Sequence, residues 1–191
     1  VSDYDFSTTD TYSGSYGDQD IAFDQIVYSN PEQIVVKSSG NYYGDGPSGS
    51  FSGAFKQNSS GSYVPFLSTD VIPPNNCSLG YNCIGWGSLA KNIIVAGAAN
   101  QLTTLGNVYS SPSDVSAASF SSAGPRKDGA IKPDLSAVGV DMRLTNYSSS
   151  TTYNSTSTGS GTSYSAPIIT GVAGALTQIK RSLSANTTFK F

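Results

Sequence analysis

The run Asn92–Ala98 (Asn-Ile-Ile-Val-Ala-Gly-Ala) constrains the fold of this chain more than any other segment. It is nearly continuous in its apolar character, with no polar/apolar alternation. That pattern belongs to a strand buried on both faces of a parallel sheet. A second, shorter β-branched strand is expected at Gln33–Lys37, ending in the turn Ser38-Ser39-Gly40-Asn41. A further strand is expected at residues 1–7, leading into a Gly/Ser/Tyr-rich loop.

Two segments have helical spacing instead. Residues 18–29 place Ala22, Phe23, Ile26 and Val27 on one face, and Asn30-Pro31 stops the pattern. From Ser163 to about Arg181, the residues Ile168, Ile169, Val172, Leu176 and Ile179 recur at helical intervals, with Pro167 expected in the first turn. Strands alternating with helices predict an α/β layer with a parallel sheet, whose ligands bind at the carboxyl ends of the strands. Ser38–Asn41 lies at such an end. Tyr42–Leu89 reads as a long loop, residues 101–125 as loop with short extended pieces, and 143–157 as a polar hairpin.

Composition narrows the function. The 191 residues suffice for one domain, or part of one, with a real core. Only 12% are charged and the net charge is -3, so neutral polar groups cover the surface and no basic stripe exists for nucleic acid. No apolar run is long enough to span a membrane. Cys77 and Cys83 lie close together in a polar loop. In an exported chain they would join as a disulfide, and in a cytosolic one they would stay free thiols. With no further Cys and no His, this pair lacks the ligands of a metal site. Asn-x-Ser/Thr sequons occur at Asn58, Asn76, Asn146, Asn154 and Asn186. These features together favour an extracellular address.

The chemistry concentrates at Gly161-Thr162-Ser163-Tyr164-Ser165-Ala166-Pro167. A turn that opens a helix presents the Ser163 hydroxyl beside unpaired backbone N–H groups, which suit a developing oxyanion. Gly-Thr-Ser alone is equally an ordinary helix cap. Against a nucleophile stands the absence of histidine, the usual base for a serine hydroxyl.

Gly161-Thr162-Ser163-x-x-Ala166-Pro167, with its Gly/Ala-rich helix, resembles the nucleophile segment of the subtilisin-like serine proteases. Three further segments resemble the same family in the same order: Val36-x-x-Ser39-Gly40-Asn41, Lys91-Asn92-Ile93-Ile94-Val95-x-Gly97-Ala98, and Phe120-Ser121-Ser122-x-Gly124-Pro125 followed by Asp128-Gly129-x-Ile131-Lys132-Pro133-Asp134-Leu135. They span Gln33 to Leu176. The resemblance implies a three-layer fold with a central parallel sheet. It implies Ser163 as nucleophile and Asn41 as the side-chain donor to the oxyanion. Ser38, Ser39, Gly40 and Thr162 would line the pocket for the substrate side chain, and Asp5-Phe6-Ser7 would pair with substrate backbone as an added strand. Departures from the family pattern are Asp5-Phe6-Ser7 itself, Tyr164 for Met, Ser165 for Ala, and Val138 for Pro.

In this family the triad order is Asp, His, Ser. The resemblance places both partners ahead of the strand near Val1. Residues 1–191 are therefore expected to be the C-terminal part of one catalytic domain, partnered by an upstream fragment carrying the Asp and His and acting on a polypeptide substrate. Two other readings stay open. Sedolisins share the fold and use Glu and Asp in place of His, although their oxyanion residue is an Asp where this chain has Asn41. A catalytically inactive domain with a binding or structural role is the third. The resemblance implies no required cofactor. Structural calcium is common in the family, and Asp45, Asp70 and Asp114 are candidate ligands, none in a recognisable ligand spacing.

Overall fold

A computed structural model describes residues 14–44, 55–67, 69, 77, 80–103, 108–146 and 155–185. In chain order the elements are α1 (Asp18–Ser29), β1 (Val36–Ser38), β2 (Phe55–Gln57), β3 (Tyr63–Pro65), β4 (Ile94–Ala99), β5 (Leu135–Val138), β6 (Met142–Asn146), β7 (Ser155–Gly159) and α2 (Thr162–Ala185). The central sheet is parallel with strand order β1-β4-β5. Val36 pairs with Ile94 and Ser38 with Ala96, while Ala96 pairs with Leu135 and Ala99 with Val138.

β4 is the middle strand, as its apolar run predicts, and Val95 and Ala96 are fully buried. Successive side chains of a strand point to opposite faces. Val95 joins Ala90 and Ile93 in a cluster against Phe23 and Val27 of α1. Ile94 faces the other way, toward Ala173 and Leu176 of α2. The described residues thus form three layers, helix on sheet on helix. Burying a side chain such as Val95 contributes about 1.5–3 kcal/mol.

The inner face of α1 differs from its apolar reading. Phe23 and Val27 pack inward, but Ile26 is 43% exposed. Two carboxylates share the inner face. Asp20, fully buried, accepts the Gly17 N–H at 2.9 Å and the Leu89 N–H at 2.8 Å. Asp24 accepts the N–H groups of Lys91 and Asn92 and the Tyr16 hydroxyl. Burial pushes the Asp24 carboxyl up, but these three bonds outweigh it and hold the group below its ordinary range. Carboxylates tie α1 to the loop that feeds β4, a role that apolar periodicity does not register.

Boundaries move elsewhere. The first strand forms at Val36–Ser38 rather than Gln33–Lys37, and β4 at Ile94–Ala99 rather than Asn92–Ala98. The polar hairpin is present as β6 and β7, paired antiparallel with Leu144 opposite Ser157. The stretch read as loop between Tyr42 and Leu89 contains a hairpin, β2 with β3. Its turn is held by the Asn58 side chain, whose Oδ1 accepts the Ser60 and Ser62 N–H groups at 3.0 Å. Cys77 and Cys83 form a disulfide.

α2 begins at Thr162, so Pro167 is its sixth residue, inside the helix and beyond the first turn. The missing proline N–H leaves the Ser163 carbonyl without its i+4 partner. Only part of the apolar stripe of α2 is covered. Ile169 is 4% exposed, whereas Ile168, Val172, Leu176, Ile179 and Leu183 range from 39% to 61%. Asp5, Phe6, Ser7, Asp45, Asp70 and the sequons at Asn76, Asn154 and Asn186 lie outside the described residues. Asn58 and Asn146 are exposed.

Candidate active site

Parallel strands deliver their carboxyl ends to one edge of the sheet, and β1 delivers Ser38–Asn41 there. Gly40 has φ +109, and a Cβ on it would lie 2.9 Å from Ser122 Oγ, so only glycine fits this turn. Ser122 braces the turn from outside: its N–H donates to the Gly40 carbonyl at 2.9 Å, and its Oγ accepts the Tyr42 N–H at 3.0 Å. Asn41 is thereby gripped on both sides. The neighbouring Ser121 Oγ accepts the Ala98 N–H of β4. Further along the same block, the Lys132 ammonium donates to the Ile93 carbonyl and to Asp134, whose carboxylate accepts the Val95 N–H. The Phe-Ser-Ser and Lys-Pro-Asp segments therefore clamp β1 and β4 in register.

The start of α2 meets the end of β1 across this edge. Thr162 is 1% exposed. Its N–H and its Oγ1–H both reach Asn41 Oδ1 at 2.9 Å, and its Oγ1 also accepts the Gly40 N–H at 3.2 Å. A backbone N–H can only donate, so the atom facing it must be the amide oxygen. The Asn41 Nδ2 group is thus the donor end of the amide, with no acceptor among the described residues. Ser163 follows, with its side chain exposed. As the second residue of α2 it lies in the turn whose N–H groups have no intrahelical acceptor, at the positive end of the helix dipole.

Packing beneath α2 sets this placement. Ser165 is fully buried and donates to the Ala137 carbonyl of β5 at 3.0 Å. Gly139, just past β5, takes the Gly161 N–H on its carbonyl at 2.8 Å. A Cβ on Gly139 would lie 2.5 Å from Ser165 Oγ, so α2 sits as close to β5 as glycine allows.

A pocket of ≈ 360 Å³ opens beside these groups. It is lined by Lys37–Tyr42, by Gly85, Trp86 and Ser88, and by Thr162 and Ser163. The structure brings together six sequence candidates here: Ser38, Ser39, Gly40, Asn41, Thr162 and Ser163. Sequence reasoning missed Gly85, Trp86, Ser88 and Lys37. Gly85–Ser88 sit in an irregular stretch with no periodicity. Lys37 had one signal, a charge following Val35-Val36 in a strand. Burial pushes the Lys37 ammonium down from its ordinary value, and the charge of Asp20 partly offsets this.

Among the described residues no group of three His, Cys, Asp or Glu could hold a metal ion. Asp114, one calcium candidate, spends its carboxylate on a turn: Oδ2 accepts the N–H groups of Ser110 and Ser111 at 2.9 Å.

The subtilase family model matches residues 6–190 of the chain. Among solved structures, the CspB protease of Clostridium perfringens is 30% identical over a match covering 50% of this chain and 18% of that one, with a TM-score of 0.38. The chain thus spans less than a fifth of that protein's length. No curated protein sequence matches it.

Proposed function

The chain belongs to the subtilase family, and from that premise we propose that it is the serine-bearing part of an extracellular serine endopeptidase. Ser163 attacks the carbonyl of a peptide bond, a base takes the hydroxyl proton, and the tetrahedral oxyanion is held by the Asn41 amide and the backbone N–H groups at the start of α2. Collapse expels the amine, which takes up the proton, and leaves an acyl group on Ser163. Water then releases it by the reverse sequence. The observation that carries this reading is the fixing of Asn41 Oδ1 by Thr162, which leaves Nδ2 as a donor beside Ser163. Donors preorganised in this way stabilise charge without reorganising during the reaction.

The base is not in this sequence as a histidine. It comes from an Asp- and His-bearing piece of the same domain, which associates with this one. The absence of histidine also favours a second reading, a carboxyl base of the sedolisin kind. The amide at Asn41 speaks for the first. Export is supported by the Cys77–Cys83 disulfide and by exposed sequons at Asn58 and Asn146.

The test is labelling of native, assembled protein with an alkyl fluorophosphonate. The expected result is stoichiometric modification of Ser163, abolished in Ser163→Ala and lost as pH falls through about 6.5, the histidine range. Labelling that persists in acid assigns a carboxyl base. No labelling of the assembled protein makes the domain catalytically inactive.

A further inference from the structure

A cationic residue, Lys37, is among those lining the pocket beside Ser163. It is the middle residue of β1, directly ahead of the Ser38–Asn41 turn. One hydrogen of its ammonium goes to Ser88 Oγ at 2.8 Å, and Ser88 passes its own hydrogen to the Ser38 carbonyl at 2.9 Å. The ion pairs among the described residues are Arg126–Asp128 and Lys132–Asp134, and Lys37 is in neither. Asp20 lies near enough to act on Lys37 by its charge, but its two oxygens are committed to the Leu89 and Gly17 N–H groups. Lys37 thus brings a half-buried positive charge with donors to spare to the wall of a substrate-sized cavity. Ser39, on the same wall, is 1% exposed and its hydroxyl has no partner among the described residues.

A partly desolvated ammonium with unspent donors binds a carboxylate more strongly than a surface lysine does, because water screens it less. A neutral amide of the same shape gains less, and a cationic side chain is repelled. We propose that Lys37 sets the specificity of this pocket, receiving the side-chain carboxylate of a glutamate or aspartate at the residue before the scissile bond. This rests on the reading of Ser163 as nucleophile. The arrangement lets Ser88 orient the ammonium while the remaining hydrogens meet the substrate.

The experiment uses the assembled protein and peptides identical except at that residue, carrying Glu, Asp, Gln, Leu or Lys. The expected kcat/KM for Glu or Asp exceeds that for the isosteric Gln by roughly 10- to 100-fold, the range of one hydrogen bond to a charged group. Lys37→Gln should collapse that ratio, and Lys37→Arg should preserve it. Fluorophosphonate labelling of Ser163 in each variant reports whether its site is assembled. Should Lys37→Gln fail to assemble, the wild-type and Lys37→Arg profiles decide. Labelling at Ser163 with equal or faster cleavage after Gln or Leu overturns the assignment of Lys37 and leaves the protease reading intact. So does an acidic preference that survives Lys37→Gln. Absence of both labelling and cleavage overturns the protease reading and this inference with it.

Discussion

At the scale of single residues, Thr162 is the keystone of the site. It is buried, and its hydroxyl serves two groups at once, donating to Asn41 and accepting from Gly40. Thr162→Val keeps the shape and removes both bonds. The Gly40 N–H then loses its acceptor, and Asn41 is held by the Thr162 N–H alone. Each lost bond is worth about 0.5–1.5 kcal/mol. The expected outcome is a fall in kcat of roughly 10-fold with KM little changed, because on the proposed mechanism the oxyanion donor acts in the transition state and not in the ground state. Thr162→Ser should restore most of the loss. Steady-state kinetics of the assembled enzyme check this, and an unchanged kcat in Thr162→Val would remove Asn41 orientation from the mechanism. Outright loss of such a donor lowers turnover by about 10²–10³, a magnitude carried over from subtilisin itself.

At the scale of elements, the site depends on how closely α2 approaches β5. A Cβ at Gly139 would meet Ser165 Oγ at 2.5 Å, Ala98 Cβ at 2.8 Å and the Gly161 carbonyl at 2.8 Å. Gly139→Ala must therefore push the start of α2 off the sheet. Overpacking of this kind costs about 1–3 kcal/mol, a drop in Tm of about 5 °C for a chain of this size. Adding Ser165→Ala removes the nearest clash and should recover part of it, the two substitutions being non-additive. A thermal melt of the four variants reads the coupling, and strict additivity would mean that the two residues do not share this contact. This contact also marks where the sequence stopped being readable. β4 was legible because a strand buried on both faces must be apolar throughout. The start of α2 and the turn at Gly40-Asn41 were legible because each carries a motif tied to backbone geometry. β5 was not, since Leu135-Ser136-Ala137-Val138 is short and neither alternating nor wholly apolar. The Gly85–Ser88 part of the pocket was not, since it meets Lys37 only through the fold. Asp20 and Asp24 were missed because a helix is read by its apolar residues, and here carboxylates do the anchoring.

At the scale of the whole molecule, α2 carries an unfilled face. Ile168, Val172, Leu176, Ile179 and Leu183 recur every three or four residues along one stripe, each 39% to 61% exposed. The lower part of this stripe joins Ile34 and Ile94 to form a groove of ≈ 610 Å³, rimmed by Lys180. Contiguous exposed apolar faces of this kind commonly mark interaction surfaces. On the function proposed above, its occupant would be the piece that supplies the base, because the sequence contains no histidine and Ser163 sits at the other end of the same helix. One rigid element then couples docking to catalysis. Leu176→Asp with Ile179→Asp tests this. Both side chains are on the surface, so the variant should keep its helical circular dichroism. Full burial of such side chains is worth about 1.5–3 kcal/mol each, and these begin half-covered, so association should weaken by roughly 10²-fold. Co-purification of the upstream piece should fail, and fluorophosphonate labelling should fall with it, although Ser163, Asn41 and Thr162 are untouched. Wild-type co-purification and labelling would show that the groove is not the docking surface. A concentration-dependent homodimer that the same substitutions dissolve would assign the face to a second copy of this chain instead.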